Sequence, residues 1–235
     1  MKKIAAVLVL LLLAKWWFTD PTISVPENDV TFSYIVKYTQ ASNESETLPM
    51  LVALHGNEDT TEHFYETALN EFSVPVRIIL LEGPVSQGGG YAWPWAAEDS
   101  RRYGEAVNSA IELLVAKYPT TQKPILLGFS GGGMMAYYQA IKYGYSYSYI
   151  FPISGKLSKD LSGDKLSSLG AKVYAYHGKK DRVLPVNGGR EAVKILKSKG
   201  VNVRFTEFDG GHLGIFKSMK SSITDTVEEK ILSLK

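Results

Sequence analysis

The chain has no cysteine in its 235 residues, which excludes disulfides, thiolate metal ligands, a cysteine nucleophile and a lipid-modified cysteine. It also lacks any block of like charge. With 26 basic and 24 acidic residues the formal net charge is +2, so nothing tracks a phosphate backbone and nucleic acid is not an expected partner. Histidine is scarce, with four in the whole chain, so any imidazole chemistry must use His55, His63, His177 or His212. No internal repeat is visible. A composition of 45% hydrophobic and 21% charged residues is that of a folded protein, and the length suits one large-core domain over residues 21–235.

One long apolar run is present. Ile4 to Ala14 follows Met1-Lys2-Lys3 and has the length of a signal-peptide core, too short to span a bilayer alone. Residues 1–20 therefore read as an export signal, and the expected location is periplasmic or extracellular. No small-x-small cleavage triplet follows Ala14, and Trp16, Trp17 and Phe18 suit a membrane interface, so an uncleaved N-terminal anchor with membrane association is the alternative. A buried core helix is a third reading. Removal of the segment would take Lys2, Lys3, Lys15 and Asp20 and leave the remaining charges balanced.

The rest alternates strand and helix patterns. After Pro21 and Pro26, read as a linker, 30–38 alternates apolar and polar residues as a half-exposed strand. Continuous apolar strands are expected at 49–54, 76–81, 124–129, 148–153 and 172–177, with a last strand over 201–208. Helical patterns run from Thr60 or Thr61 to Phe72, then over 98–118, 134–143, 188–199 and 215–234; 88–95 is a glycine- and aromatic-rich loop. This alternation predicts an α/β fold with a mostly parallel central sheet and helices on both faces, ligands binding at the strands' C-terminal ends.

Chemistry concentrates at Gly128-Phe129-Ser130-Gly131-Gly132, a G-x-S-x-G between an apolar strand and a helix. At such a turn the serine hydroxyl is pushed out above the sheet, and the following N–H groups open a helix N-terminus. A flexible glycine loop would give the same letters, so the rest of the chain must supply a base and an acid. In sheets built around this turn the chain order is serine, acid, histidine. Among the histidines only His212 follows the last strand, in Asp209-Gly210-Gly211-His212; His177, at a strand end, reads as structural. Asp181, in the loop after the next strand inward, is the candidate acid, with Asp209 as rival and Asp160, Asp164 and Glu191 behind it. A surface pairing of Asp181 with Lys179, Lys180 or Arg182 is the plainer alternative. Two donors for a developing oxyanion are sought at the N–H groups of Gly131 and of Asn57, in the loop after the strand that ends at Leu54.

Together, Leu54-His55-Gly56, Gly128-Phe129-Ser130-Gly131-Gly132, His177-Gly178 through Asp181 to Val183-Leu184-Pro185, and Gly211-His212 resemble the α/β-hydrolase fold, and within it the phospholipase/carboxylesterase group that includes acyl-protein thioesterases. The resemblance spans roughly 30–235. It implies ester or thioester hydrolysis without metal or cofactor, through an acyl-serine, with Ser130, Asp181 and His212 as triad and Asn57 and Gly131 as oxyanion donors. The chain departs from the pattern in two places: Gly131 stands where the group commonly has glutamine, and Asn57-Glu58-Asp59 is a looser version of its His-Gly-x-Gly-Asp. Tyr91, Trp93 and Trp95 are expected to wall a pocket for the acyl group of a small-molecule ester. The expected activity is that of a serine carboxylesterase acting on short-chain or aromatic acyl esters, since no long inserted lid separates Ser130 from Asp181. A peptidase of the prolyl-oligopeptidase kind, anchoring an amine at Glu58 or Glu98, is one alternative; a catalytically silent binding protein is another.

Overall fold

A computed structural model describes residues 20–161 and 170–234. The signal or anchor expected over 1–20 lies, but for Asp20, outside the described residues, as does the rival acid Asp164. The lid expectation concerns a stretch that includes 162–169, also outside them.

Strands β1 (Thr22–Val25), β2 (Val30–Tyr38), β3 (Met50–Leu54), β4 (Arg77–Leu81), β7 (Ile125–Phe129), β8 (Tyr149–Ile153), β9 (Lys172–Gly178) and β10 (Val203–Phe208) form one sheet in the order β1-β2-β4-β3-β7-β8-β9-β10. β1 and β2 are antiparallel to their neighbours; every pairing from β4 to β10 is parallel. Every residue of β3, β4 and β7 is buried, as strands covered on both faces require. Alternate side chains go to opposite faces. Val52, Leu54 and Leu126 pack in the core of helices α2 (Ala97–Lys117), α3 (Gly131–Lys142) and α4 (Val186–Ser198), while Leu51, Ala53 and Leu127 join that of α1 (Thr61–Phe64) and α5 (Lys220–Leu232).

Several expectations need correction. Residues 22–25 are a strand, not a linker: Val25 pairs with Val30 beside Pro26, and a proline is tolerated at such an edge. The loop around Tyr91 contains a hairpin, β5 (Val85–Gln87) with β6 (Gly90–Ala92). The helix capped by the Thr60 side chain ends in a π turn at Leu69, short of Phe72. The helix behind Ser130 starts at Gly131, and the closing helix is split into a 3-10 turn over His212–Phe216 and α5.

The strand order creates the site. From β3 the chain steps one way to β4, and later strands step the other way through β7, so β3 and β7 flank the point where the order reverses and their outgoing loops diverge. Leu54 pairs with Gly128, which sets His55-Gly56-Asn57 beside Ser130-Gly131. At the other edge Phe208 pairs with Gly178, and the N–H groups of Lys179 and Lys180 donate to the carbonyls of Phe208 and Gly210, each at 2.9 Å, tying the Asp181 and His212 loops together.

Candidate active site

Ser130 sits at the end of β7 with φ 53 and ψ −111, a strained conformation for a non-glycine residue costing about 1–3 kcal/mol. Its surroundings hold it there. The Ser130 N–H donates to Ile153 O at 2.9 Å, and the Gly132 N–H donates to His55 O at 3.1 Å. The turn is so tight that a Cβ on Gly128 would overlap the Gly132 carbonyl, and one on Gly132 would overlap the Leu54 and His55 carbonyls, so both positions need glycine.

His212 Nε2 lies 2.9 Å from Ser130 Oγ, and His212 Nδ1 lies 2.7 Å from Asp181 Oδ2. Because a carboxylate only accepts, Nδ1 carries the ring proton and Nε2 is left to accept from the serine hydroxyl. The Asp181 side chain has no exposed surface. Its Oδ1 accepts the N–H groups of Val183 at 2.9 Å and Leu184 at 2.8 Å. The rivals stand elsewhere. Asp209 is exposed and pairs with Lys180 at 2.8 Å, whose ammonium holds its carboxyl below the usual range. Glu191 is exposed on α4, and the Asp160 carbonyl accepts from Arg101.

Asn57 and Gly131 face each other. A Cβ on Gly131 would overlap Asn57 Oδ1, so the asparagine side chain occupies the space into which a larger residue after the serine would project. That oxygen accepts the Trp93 backbone N–H at 3.0 Å, and the Trp93 indole N–H donates to His55 O at 3.0 Å. Trp93 thus clamps the 55–57 loop from behind. Gly131→Ala is expected to break the Trp93–Asn57 bond and lower the activity of the site by about 10- to 100-fold, since misplacing a positioned group by an ångström costs on that order. Asn57→Ala in the same chain removes the colliding oxygen, and steady-state kinetics on the single and double variants should show partial recovery.

Ser130 and His212 open into a cavity of about 790 Å³. Phe129, Met134, Leu184, Leu213, Phe216 and Trp95 supply its apolar wall, with Glu58, Asp59, Lys156 and Lys217 around it. Of the three aromatics expected there, only Trp95 lines it. Trp93 is 1% exposed and stacked on Phe32, and Tyr91 sits on the β5–β6 hairpin, its backbone bonded to Glu58 and Asp59. Leu213 and Phe216, one and four residues after His212, were within reach of the sequence; Lys156, from the loop after β8, gave no signal. Glu58 has φ 65, a left-handed conformation at the position where the resembling pattern has glycine.

Residues 37–228 match the model of the phospholipase/carboxylesterase family. Among solved structures, the esterase PE8 superposes with a TM-score of 0.69 at 23% identity, over 84% of this chain and 98% of that one. The Bacillus cereus carboxylesterase gives 0.66 at 17% identity, over 83% and 94%. The Zea mays acyl-protein thioesterase 2 gives 0.62 at 21%, over 84% and 98%. At such identities these likenesses establish a shared fold. No curated protein sequence matches the chain.

Proposed function

This chain belongs to the phospholipase/carboxylesterase family, and we propose that it hydrolyses carboxylic esters through an acyl-serine intermediate on Ser130. The observation that carries the reading is the series Ser130 Oγ, His212 Nε2, His212 Nδ1, Asp181 Oδ2, at 2.9 and 2.7 Å, opening into an accessible cavity. In it His212 takes the hydroxyl proton as Oγ attacks the ester carbonyl, and Asp181 holds the imidazole in the tautomer that can accept it. The N–H groups of Asn57 and Gly131 stabilise the oxyanion. His212 returns the proton to the leaving alcohol, then activates a water that releases the acid.

The apolar wall suits a short or aromatic acyl group. With p-nitrophenyl esters, acetyl to butyryl chains are expected to exceed dodecanoyl in kcat/KM by at least about tenfold. A fluorophosphonate probe should label Ser130, identified by peptide mass. Hydrolysis of aminoacyl anilides in place of esters would favour the peptidase reading; Glu58 lines the cavity for an amine, whereas Glu98 lies in the first turn of α2 and does not. Failure of both turnover and labelling in folded protein would mean a silent binding protein. Export or anchoring through residues 1–20 is proposed on the sequence pattern, and N-terminal sequencing of mature protein from cell fractions tests it.

A further inference from the structure

We propose that His177 is a positioning residue whose Nε2–H, bonded to the Leu184 carbonyl, also faces the Asp181 carboxylate and so helps fix the oxygen that His212 uses. The proposal rests on the reading of Ser130, His212 and Asp181 given above.

His177 is fully buried near the C-terminal end of β9, four residues before Asp181. Its Nε2 lies 2.7 Å from the Leu184 carbonyl and 3.3 Å from Asp181 Oδ2. Both neighbours only accept, so Nε2 must carry the proton; it is bonded to the Leu184 carbonyl, with the Asp181 carboxylate in electrostatic range. Nδ1 is buried and has no hydrogen-bond partner among the described residues. Gly189 of α4 makes room for it, since a Cβ there would fall 2.5 Å from Nδ1. The surroundings therefore select one tautomer. Across the sheet His177 is in register with Glu207, whose carboxylate is held by Arg190 at 2.7 Å.

The consequence falls on Asp181. Two backbone N–H groups bond its Oδ1 and His212 bonds its Oδ2, which the His177 Nε2–H faces at 3.3 Å, so both oxygens have a donor toward them. Without His177, Oδ2 would keep only His212, and the Leu184 carbonyl would lose its side-chain donor. Leu184 also lines the cavity, so one imidazole braces both the acid and the adjoining wall.

A purely structural histidine would need only its volume, and two variants separate the cases. His177→Leu fills the space without a donor; His177→Gln can put an amide N–H near the Nε2 position. The leucine variant is expected to lower kcat by about 10- to 100-fold while changing KM by less than about threefold, and the glutamine variant to recover most of kcat. The far-downfield proton resonance of His212 Nδ1–H should move or vanish with leucine and return with glutamine. A folded leucine variant with wild-type kcat and an unmoved resonance would overturn the proposal, as would a glutamine variant as slow as leucine. Nitrogen-15 spectra of the wild-type chain give a test that needs no variant: protonated Nε2 and bare Nδ1 are expected, and the opposite tautomer would sink the idea. A wild-type chain inactive on every ester would instead count against the reading of the site, with the tautomer still deciding this one.

Discussion

Replacing Ser130 with alanine is expected to lower kcat/KM toward p-nitrophenyl esters by about four to six orders of magnitude and to abolish fluorophosphonate labelling. The size follows from the role proposed. Without Oγ no acyl-enzyme can form, His212 has no proton to take, and only the oxyanion donors and substrate binding remain to assist direct attack by water. The fold should be indifferent. Among the described residues the Ser130 hydroxyl bonds only His212, whereas its backbone N–H, bonded to Ile153 O at 2.9 Å, is unaffected. Alanine has the same Cβ, so the strained turn is neither relieved nor worsened. A melting temperature near wild type, together with lost turnover, is the expected pair of results. An alanine variant that kept more than about one-tenth of the activity would remove Ser130 from the mechanism.

Arg77→Met is expected to destabilise the chain by about 3–5 kcal/mol, the cost of removing a buried charge whose two terminal nitrogens are hydrogen-bonded to carbonyls, although its Nε has no partner among the described residues. Arg77 begins β4 and has no exposed surface. Its guanidinium donates to the carbonyls of Pro119 at 3.0 Å, Glu44 at 3.1 Å and Glu46 at 2.8 Å. The rings of Tyr38 and Tyr118 lie 5.4 and 5.3 Å from its central carbon. No carboxylate pairs with it among the described residues, so the charge is solvated by carbonyl dipoles and two aromatic faces. Burial, reinforced by the Tyr34 hydroxyl, pushes the Tyr118 phenol up to about 12, which keeps that ring uncharged around neutral pH. Methionine would replace the stem and leave three carbonyls without their donor. Arg77 lies at the N-terminal end of its strand, opposite the edge that carries Ser130, so ester turnover by the folded protein should stay near wild type. Urea unfolding monitored alongside activity tests both halves; an unchanged midpoint would show that the guanidinium contributes little.

Much of this molecule was legible because its signals are local. Continuous apolar runs announced β3, β4 and β7, and the paired glycines around Ser130 announced a tight strand-to-helix turn. Scarcity helped as well: with four histidines and a fixed chain order, His212 stood out. Where the reading slipped, long-range contacts were responsible. Residues 22–25 are β-branched at three of four positions, but flanking Pro21 and Pro26 masked the strand, which forms because β2 offers an open edge. Trp93 looked like a pocket wall, but its indole N–H finds the His55 carbonyl behind the loop, and Trp95, two residues on, turns to the cavity.

Residue type and order along the chain therefore determined the family, the sheet and the groups competent for chemistry, since periodicity, turn sterics and acid–base capacity are properties of short segments. Only the tertiary structure set Asp181 rather than Asp209 against His212, brought His177 beside the same carboxylate, and set the Asn57 side chain where Gly131 leaves room for it. Each of those outcomes depends on strands far apart in sequence lying in one register, and on which buried polar atoms find partners once they do.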